Sequence, residues 1–323
     1  MLSEVMKHFG FKKEFHQAGY FETKEHQRIT HEIKTAIRGG RLIVVTGIVG
    51  CGKTTMLRQI QEVLNKEKEI IVAKSLAVDK DRVNLKTLIL AMFLDLAKEK
   101  GFKVPSQPEK RERKLQELVR KAKKPVALFV DEAHDLHPKT LVGLKRLMEV
   151  TEDGGGILSI LLVGHPKLKN ELNRAALEEV GTRTSKFSMD GMIADKRDYI
   201  HFLLEQCLEN KREWGTVITA EAIDLLAERL ATPLQVGHYL TLALEEAFLI
   251  GGDPVTPEVV QSVLAKDLDD LGPRLTRYGY NAKVLANMFH SRPSVIRAFL
   301  RGQLSQELVE EMRDEMLAAG LPL

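Results

Sequence analysis

Two short segments of the chain contain the residue types that handle phosphate groups. The first, GIVGCGKT at residues 47–54, fits the pattern G-x-x-x-x-G-K-[ST]. Its glycines let backbone N–H groups curl around phosphate oxygens, Lys53 reaches the outer phosphates, and the hydroxyl of Thr54 is a ligand for Mg²⁺. The segment is therefore predicted to bind ATP. The expected contacts come from Gly47, Val49, Gly50, Cys51, Gly52, Lys53, Thr54 and Thr55.

The second segment, VALFVDEAHDL at residues 126–136, is an apolar run that ends in two acids. Asp131 at the tip of such a strand can complete the Mg²⁺ shell with Thr54, and Glu132 can polarise a water molecule that attacks the terminal phosphate. The alternative is a strand that simply ends in two solvated acids. Because a phosphate-binding loop precedes it, the segment favours hydrolysis of ATP, with Lys53 and Glu132 as catalytic residues.

The first half of the chain alternates between two kinds of periodicity. Short apolar runs predict strands at residues 41–46, 69–76, 125–133 and 157–165. Helical patterns lie between them at residues 53–66, 85–100 and 138–152. Strands that alternate with helices predict an α/β fold, in which a parallel sheet is covered by helices on both faces.

Beyond about residue 190 the periodicity is helical only. We therefore predict three parts: a nucleotide-binding α/β domain at residues 1–190, a helical lid domain at 191–270, and a small basic helical tail at 271–323. Residues 272–304 contain six Arg or Lys side chains and no Asp or Glu.

Overall composition places limits on the class of protein. The chain has 323 residues, and its 48 basic and 45 acidic residues give a net charge of only +3, so binding to a polyanion must depend on local clusters of charge. Two cysteines and the lack of a long apolar span favour a reducing, cytoplasmic location over secretion or membrane insertion.

Three segments resemble one protein family. GIVGCGKTT, LFVDEAHDL and LLVGHPKL are similar to the P-loop, Walker B and sensor 1 segments of AAA+ ATPases. The branch that residues 8–265 resemble includes the secretion ATPase ExeA and the transposon target-selection ATPases of the TnsC, TniB and MuB type. The resemblance implies an ATPase that oligomerises as a ring or filament on duplex DNA and recruits a transposase, with a target-selector protein as a further partner and no membrane. A secretion ATPase and a replication-initiator or helicase-loader ATPase are the alternatives.

The resemblance also assigns roles to single residues. His165 occupies the sensor 1 position, where the family more often has Gln, Asn or Thr, and this histidine implies pH-sensitive catalysis. Arg183 fits the arginine finger best, with Arg174 second. Where the family has Gly-x-Pro-Arg, this chain reads ATPLQ, so Gln235 replaces the sensor 2 arginine and hydrolysis is expected to be slow or to need a partner.

Two basic surfaces are candidates for DNA contact. The region of Lys74, Lys80 and Arg82 corresponds to the part of TnsC-like proteins that grips the DNA backbone. In the tail, residues 281–302 outline a helix-turn-helix whose second helix would present Arg292, Arg297 and Arg301. The turn is about one residue shorter than in recombinases, and His290 stands where glycine is favoured. A helical hairpin that docks on protein is the alternative.

Overall fold

The computed structural model describes residues 1–74, 83–97, 104–173, 180, 184–191, 193, 195–209, 212–264 and 270–323. These residues form two compact units. The α/β unit comprises Lys24–Ile48 and Lys53–Asp190, and the helical unit comprises Met1–Thr23, Val49–Gly52 and Gly191–Leu323. The sequence-based division placed residues 1–23 with the nucleotide-binding domain. They group instead with the helical unit, because Val5 and Phe9 of the first helix are buried in its core.

The α/β unit is built on a five-stranded sheet with the strand order β2-β3-β4-β1-β5 and only parallel pairs. The strands are β1 (Leu42–Thr46), β2 (Ile71–Lys74), β3 (Val126–Val130), β4 (Leu158–Gly164) and β5 (Thr184–Ser188). Every residue of β1, β3 and β4 is buried, as their continuous apolar runs require of strands that are covered on both faces. The predicted α/β fold class is confirmed.

Six helices accompany these strands in the described part of the α/β unit, and the three at 53–67, 85–96 and 138–153 lie where the alternating periodicity predicts helices. The six are α2 (Lys24–Arg38), α3 (Lys53–Glu67), α4 (Leu85–Leu96), α5 (Pro108–Ala122), α6 (Pro138–Asp153) and α7 (Pro166–Leu172). The side chain of Asn84 caps α4 by accepting the N–H of Thr87, and Pro108 occupies the first turn of α5, where its missing N–H costs nothing.

The helical unit contains a large apolar core of its own. Its helices are α1 (Ser3–Phe9), α8 (Lys196–Cys207), α9 (Ala220–Arg229), α10 (Pro233–Ile250) and α11 (Pro257–Val263). Thr219 and Thr232 begin α9 and α10 by accepting backbone N–H groups, as expected of N-cap residues. Among the described residues, no helix is both long enough and apolar enough to cross a membrane.

The tail folds as four short helices around a separate cluster of apolar side chains. The helices are α12 (Leu271–Arg277), α13 (Ala282–Met288), α14 (Pro293–Leu300) and α15 (Gln306–Ala318). All members of the cluster, buried or half-buried, lie between Leu271 and Leu323. Leu285, Ile296 and Met316 are fully buried in it, so this segment satisfies its own apolar faces.

Candidate nucleotide site and tail surface

Strand order brings the candidate site residues to one edge of the sheet. In the order β3-β4-β1, the carboxyl ends of the three strands lead into Asp131, His165 and the loop that begins at Gly47. Neighbouring strands are about 4.8 Å apart, so these three positions lie within roughly 10 Å. This edge is where parallel α/β sheets bind ligands.

The loop after β1 has the backbone shape that its glycines predict. Gly50 and Gly52 have φ angles of +83° and +94°, which side chains with a Cβ rarely adopt. At the start of the loop, the N–H of Ile48 donates to the Oδ1 atom of Asp190 at 3.1 Å. The hydroxyl of Ser188 donates to the other oxygen of Asp190 at 3.0 Å, so a carboxylate just after β5 anchors the loop.

Lys53 is the strongest indication of an anionic ligand. Its side chain is buried, and its ammonium group donates to the carbonyl oxygens of Gly47 at 2.9 Å and Ile48 at 3.0 Å. Within the described ranges it forms no ion pair with a carboxylate. A buried ammonium whose charge is compensated only by carbonyl dipoles is costly, and a phosphate oxygen would supply the missing negative charge. The site therefore fits ATP.

Thr54 and Asp131 meet as a Mg²⁺ site requires. The hydroxyl of Thr54, at the start of α3, donates to the Oδ2 atom of Asp131 at 2.9 Å. One carboxylate, one hydroxyl and several waters are a ligand set that suits Mg²⁺ when it is bound together with nucleotide phosphates. When bound, the ion would supply positive charge next to the phosphate oxygens.

Glu132 lies beside this pair in an uncommon backbone conformation. Its φ angle is +54°, in the left-handed region, where a residue with a side chain is strained. The N–H of Glu132 donates to the Oδ1 atom of Asp131 at 2.9 Å. Its Oε2 atom lies 3.4 Å from Nδ1 of His134 and 3.8 Å from Nε2 of His165. The carboxylate can thus accept a proton from water next to the phosphate-binding loop, and two histidines surround it.

His165 follows β4 and stacks on His134, with ring centroids 3.8 Å apart and an angle of 23° between the rings. The pKa of His165 is lowered to about 4, mainly by burial and then by the nearby His134 and Lys53, while Glu132 and Asp135 oppose the shift more weakly. The sequence predicted that this histidine makes catalysis sensitive to pH; with the lowered pKa, that sensitivity is expected well below neutral pH.

We expect His165 to stay neutral from about pH 8 to about pH 5.5, because its folded pKa lies near 4 whereas that of an unfolded histidine is about 6.5. A lowered pKa stabilises the folded state fully above the unfolded value, and this stabilisation is lost as the pH falls towards 4. NMR titration of the ring signals, assigned with the variant His165→Asn, should give a midpoint near 4. A midpoint near 6.5 would contradict the burial described above.

Other sequence-predicted residues have more local contacts. The Oε1 atom of Gln235 accepts the N–H of Ala231 at 2.9 Å, so this side chain caps the start of α10. Lys74 is exposed at the end of β2, where its backbone N–H donates to Asp95. In the loop and α3, Cys51 is buried and Thr55 is exposed. The predictions for Arg174, Arg183, Lys80 and Arg82 lie outside the described residues.

Helices α13 and α14 are joined by a short turn at residues 289–292. His290 has a φ angle of +49°, so the turn requires the left-handed conformation that glycine adopts most easily. The N–H of Ser291 donates to the carbonyl of Ala286 at 2.9 Å and closes the end of α13. The arginines predicted to contact DNA are exposed, and in the described part of the chain they form no ion pair. They are Arg292, Arg297 and Arg301.

Sequence reasoning did not identify two residues of the site. His134 received no role, although a histidine two positions after Glu132 is visible in DEAH. Asp190 gave no recognisable signal, because its role depends on β5 lying next to β1. Both became apparent only when the strand order brought distant segments together.

Comparison with known proteins agrees with this geometry. Residues 36–172 match the family described as AAA domain. General secretion pathway protein A of Aeromonas hydrophila is 29% identical over 178 residues, which are 52% of this chain and 30% of that protein. The chain therefore spans less than a third of this relative's length.

Two solved structures share the fold. The ORC2 protein of Aeropyrum pernix, solved in ADPNP-ADP complexes, matches with a TM-score of 0.56 and 13% identity over 96% of this chain and 91% of that one. Cdc6p from Pyrobaculum aerophilum matches with a TM-score of 0.51 and 16% identity over 92% and 85% of the two chains. At these identities the likeness shows a shared fold and nothing more.

Proposed function

We propose that this protein is an ATPase that binds duplex DNA and regulates the choice of a transposition target; the match of residues 36–172 to the family described as AAA domain supports the ATPase part. The observation that carries the ATPase part is the convergence of Lys53, the Thr54–Asp131 pair and Glu132 at one edge of the sheet. These are the groups that phosphoryl transfer to water requires.

Each group has one task in this proposal. Lys53 exchanges its two carbonyl partners for phosphate oxygens, and the loop amides hold the same phosphates. Thr54 and Asp131 hold Mg²⁺. Glu132 orients the attacking water and accepts its proton, while His165 contributes a ring nitrogen beside the terminal phosphate.

Slow turnover is part of the proposal. Gln235 cannot neutralise a phosphate charge as an arginine would, and its side chain is already bonded to the backbone of Ala231. Hydrolysis then depends on a further positive charge, for which we propose Arg183 from a neighbouring copy of the chain. A protein with these properties acts as an ATP-controlled switch that persists on DNA in rings or filaments.

The tail supports the DNA-binding part. Arg292, Arg297 and Arg301 lie on or next to α14, the helix that we propose as the second of a helix-turn-helix, and they leave their charges in solvent. Recognition helices of this kind enter the major groove with the N-terminal end first. Lys74, with Lys80 and Arg82, is proposed as a second surface that binds backbone phosphates.

The transposase partner comes from the resemblance of the P-loop, Walker B and sensor 1 segments to TnsC-like, TniB-like and MuB-like ATPases. A target-selector protein is a further proposed partner. A secretion or assembly ATPase is the second candidate function, because the curated relative General secretion pathway protein A matches 52% of this chain. The two candidates differ in whether ATP-dependent binding to duplex DNA occurs at all.

We expect the full-length double variant Arg297→Gln/Arg301→Gln to bind duplex DNA at least about tenfold more weakly than the wild type in the presence of a non-hydrolysable ATP analogue. Each lost phosphate contact also lowers the slope of log affinity against log salt by about 0.9. Fluorescence anisotropy of a labelled duplex across a salt series measures both quantities. Negative-stain microscopy of the same mixtures tests for rings or filaments.

The matched control is Lys66→Gln/Arg313→Gln, which removes the same charge from exposed positions outside α14. It should bind DNA like the wild type. Equal weakening of both double variants would mean that overall charge, rather than the tail helix, governs binding. Absence of DNA binding by the wild type in every nucleotide state would favour the secretion-type candidate.

A further inference from the structure

We propose that Glu132, His134 and His165 form a second metal site, distinct from the Mg²⁺ site at Thr54 and Asp131, which takes a divalent transition metal such as Zn²⁺ or Co²⁺. One ligand atom from each of the three residues lies within 4.8 Å of the other two. All three belong to the α/β unit, at the carboxyl ends of β3 and β4. The proposed hydrolysis of ATP does not require either histidine to bind a metal ion.

The spacing of the donor atoms is close to what a tetrahedral ion requires. With metal–ligand distances of about 2.1 Å, neighbouring ligand atoms are separated by about 3.4 Å. The Oε2 atom of Glu132 lies 3.4 Å from Nδ1 of His134 and 3.8 Å from Nε2 of His165. Because the lone pairs of two stacked rings lie in nearly parallel planes, binding requires one imidazole to turn out of the stack so that both nitrogens point at the ion.

His134 has the tautomer that coordination needs. Its Nδ1 atom accepts the backbone N–H of His165 at 3.4 Å, so this nitrogen carries a lone pair. Its Nε2 atom lies 3.6 Å from Oδ1 of Asp135, which leaves the proton on the side of the carboxylate. A carboxylate hydrogen-bonded to the outer nitrogen is the usual support of a metal-binding histidine, and Asp135 would provide it if the 3.6 Å separation closed by a few tenths of an ångström.

His165 is suited to the same role. Its Nδ1 atom is buried without a hydrogen-bond partner among the described residues, and this nitrogen would carry the proton when Nε2 binds the ion. Its Nε2 atom faces Oε2 of Glu132 at 3.8 Å, so this nitrogen is the one placed to bind an ion. Two imidazoles and one carboxylate favour Zn²⁺, Co²⁺ or Ni²⁺ over Mg²⁺, which prefers oxygen ligands.

Occupation of the site would engage the carboxylate that we assign to activating water. A metal ion at Glu132 would thus stop hydrolysis and leave the phosphate-binding loop intact, so ATP would stay bound. This inhibitory consequence rests on the proposed function, whereas metal binding itself does not.

The test uses Co²⁺ as the probe, with the full-length chain free of any affinity tag, without nucleotide and with Mg²⁺ in excess to fill the oxygen-rich site. We expect one Co²⁺ per chain and the intense visible absorption of a low-coordinate cobalt ion with nitrogen and oxygen ligands. His134→Asn/His165→Asn should lose at least 100-fold in affinity. Asp135→Asn, which changes the carboxylate beside Nε2 of His134, should lose about tenfold, in the range known for such supporting residues.

His16→Asn is the matched control, because His16 also lies beside a carboxylate, 3.1 Å from Glu14, but is exposed and far along the chain. It should bind Co²⁺ like the wild type. Undiminished binding by the double variant would overturn the proposal, and so would a thiolate-to-cobalt charge-transfer band, which would place the ion at a cysteine. Circular dichroism and binding of Mg²⁺-ATP verify that each variant is folded.

A second measurement separates the two proposals. With Mg²⁺-ATP in excess, low concentrations of free Zn²⁺ should inhibit hydrolysis by the wild type. The single variants His134→Asn and Asp135→Asn, where active, should need at least tenfold more Zn²⁺ for the same inhibition. Cobalt binding together with zinc-insensitive hydrolysis would overturn the inhibitory role. Cobalt binding by a protein that hydrolyses no ATP would retain the metal site and refute the proposed ATPase.

Discussion

Replacement of Lys53 by methionine should abolish binding of Mg²⁺-ATP, with a loss in affinity of at least about 100-fold, or about 2.7 kcal/mol. Its ammonium group is buried, and its partners among the described residues are the carbonyls of Gly47 and Ile48, so the positive charge is available to phosphate oxygens. Charge-assisted bonds to phosphate are about twice as strong as neutral ones. Isothermal titration calorimetry with a non-hydrolysable analogue measures the effect.

Methionine is chosen over alanine because it keeps the aliphatic stem that fills the buried space. Lys66→Met lies on the same helix, α3, at an exposed position, and serves as the control. It should bind nucleotide like the wild type. Nucleotide affinity of Lys53→Met within threefold of the wild type would mean that the loop amides alone hold the phosphates, contrary to the role assigned to this lysine.

The variant Glu132→Gln should bind ATP normally and lower kcat by about 10²–10⁴-fold, the range that a general base contributes. Glutamine has the same shape and meets the same strain at a φ angle of +54°, so the change removes basicity without a new backbone cost. The Thr54–Asp131 pair is left in place. Steady-state phosphate release, together with single-turnover hydrolysis, separates the chemical step from product release.

Glu152→Gln is the control for this change, since Glu152 is an exposed acid on α6 and has no place in the site. It should hydrolyse ATP at the wild-type rate. If Glu132→Gln did the same, another group would have to activate water, and the assignment of the base would fail. The same outcome would remove the reason for expecting an inhibitory metal at this carboxylate.

The parts of the fold that the sequence predicts are the strands whose apolar runs are continuous. β1, β3 and β4 are fully buried, so every residue in them is apolar or small, and strand and core coincide in the sequence. The glycines and Lys53 of the loop are equally easy to recognise in the sequence, because their role depends on residues that are adjacent in the chain. In these segments the structure differs little from what the sequence predicts.

The parts that sequence reasoning missed depend on distant contacts or on mixed patterns. The helix α5 is rich in charge, and Arg111, Leu115 and Val119 are its only buried residues, so its apolar stripe is narrow. β5 is an edge strand with no fully buried residue, and its sequence TSKFS has no apolar run. An element that buries few side chains needs few apolar residues at fixed spacing, so its secondary structure is hard to predict from the hydrophobic pattern.

The candidate site divides in the same way. Gly47, Lys53, Thr54, Asp131 and Glu132 were identified from local motifs. Asp190 and His134 act only because strands that are far apart in sequence end at the same edge. The shift in the pKa of His165 likewise arises from burial and from charges on other segments, which a sequence does not display.

The separate apolar cluster of residues 271–323 has an evolutionary consequence. Because its buried side chains contact one another within that segment, residues on the exposed side of α14 can be exchanged without repacking the other cores. The segment can therefore diverge, or be replaced by recombination between genes, faster than the nucleotide site. In a lineage of related chains, partner choice would change at Arg292, Arg297 and Arg301 while Lys53, Asp131 and Glu132 stay constant.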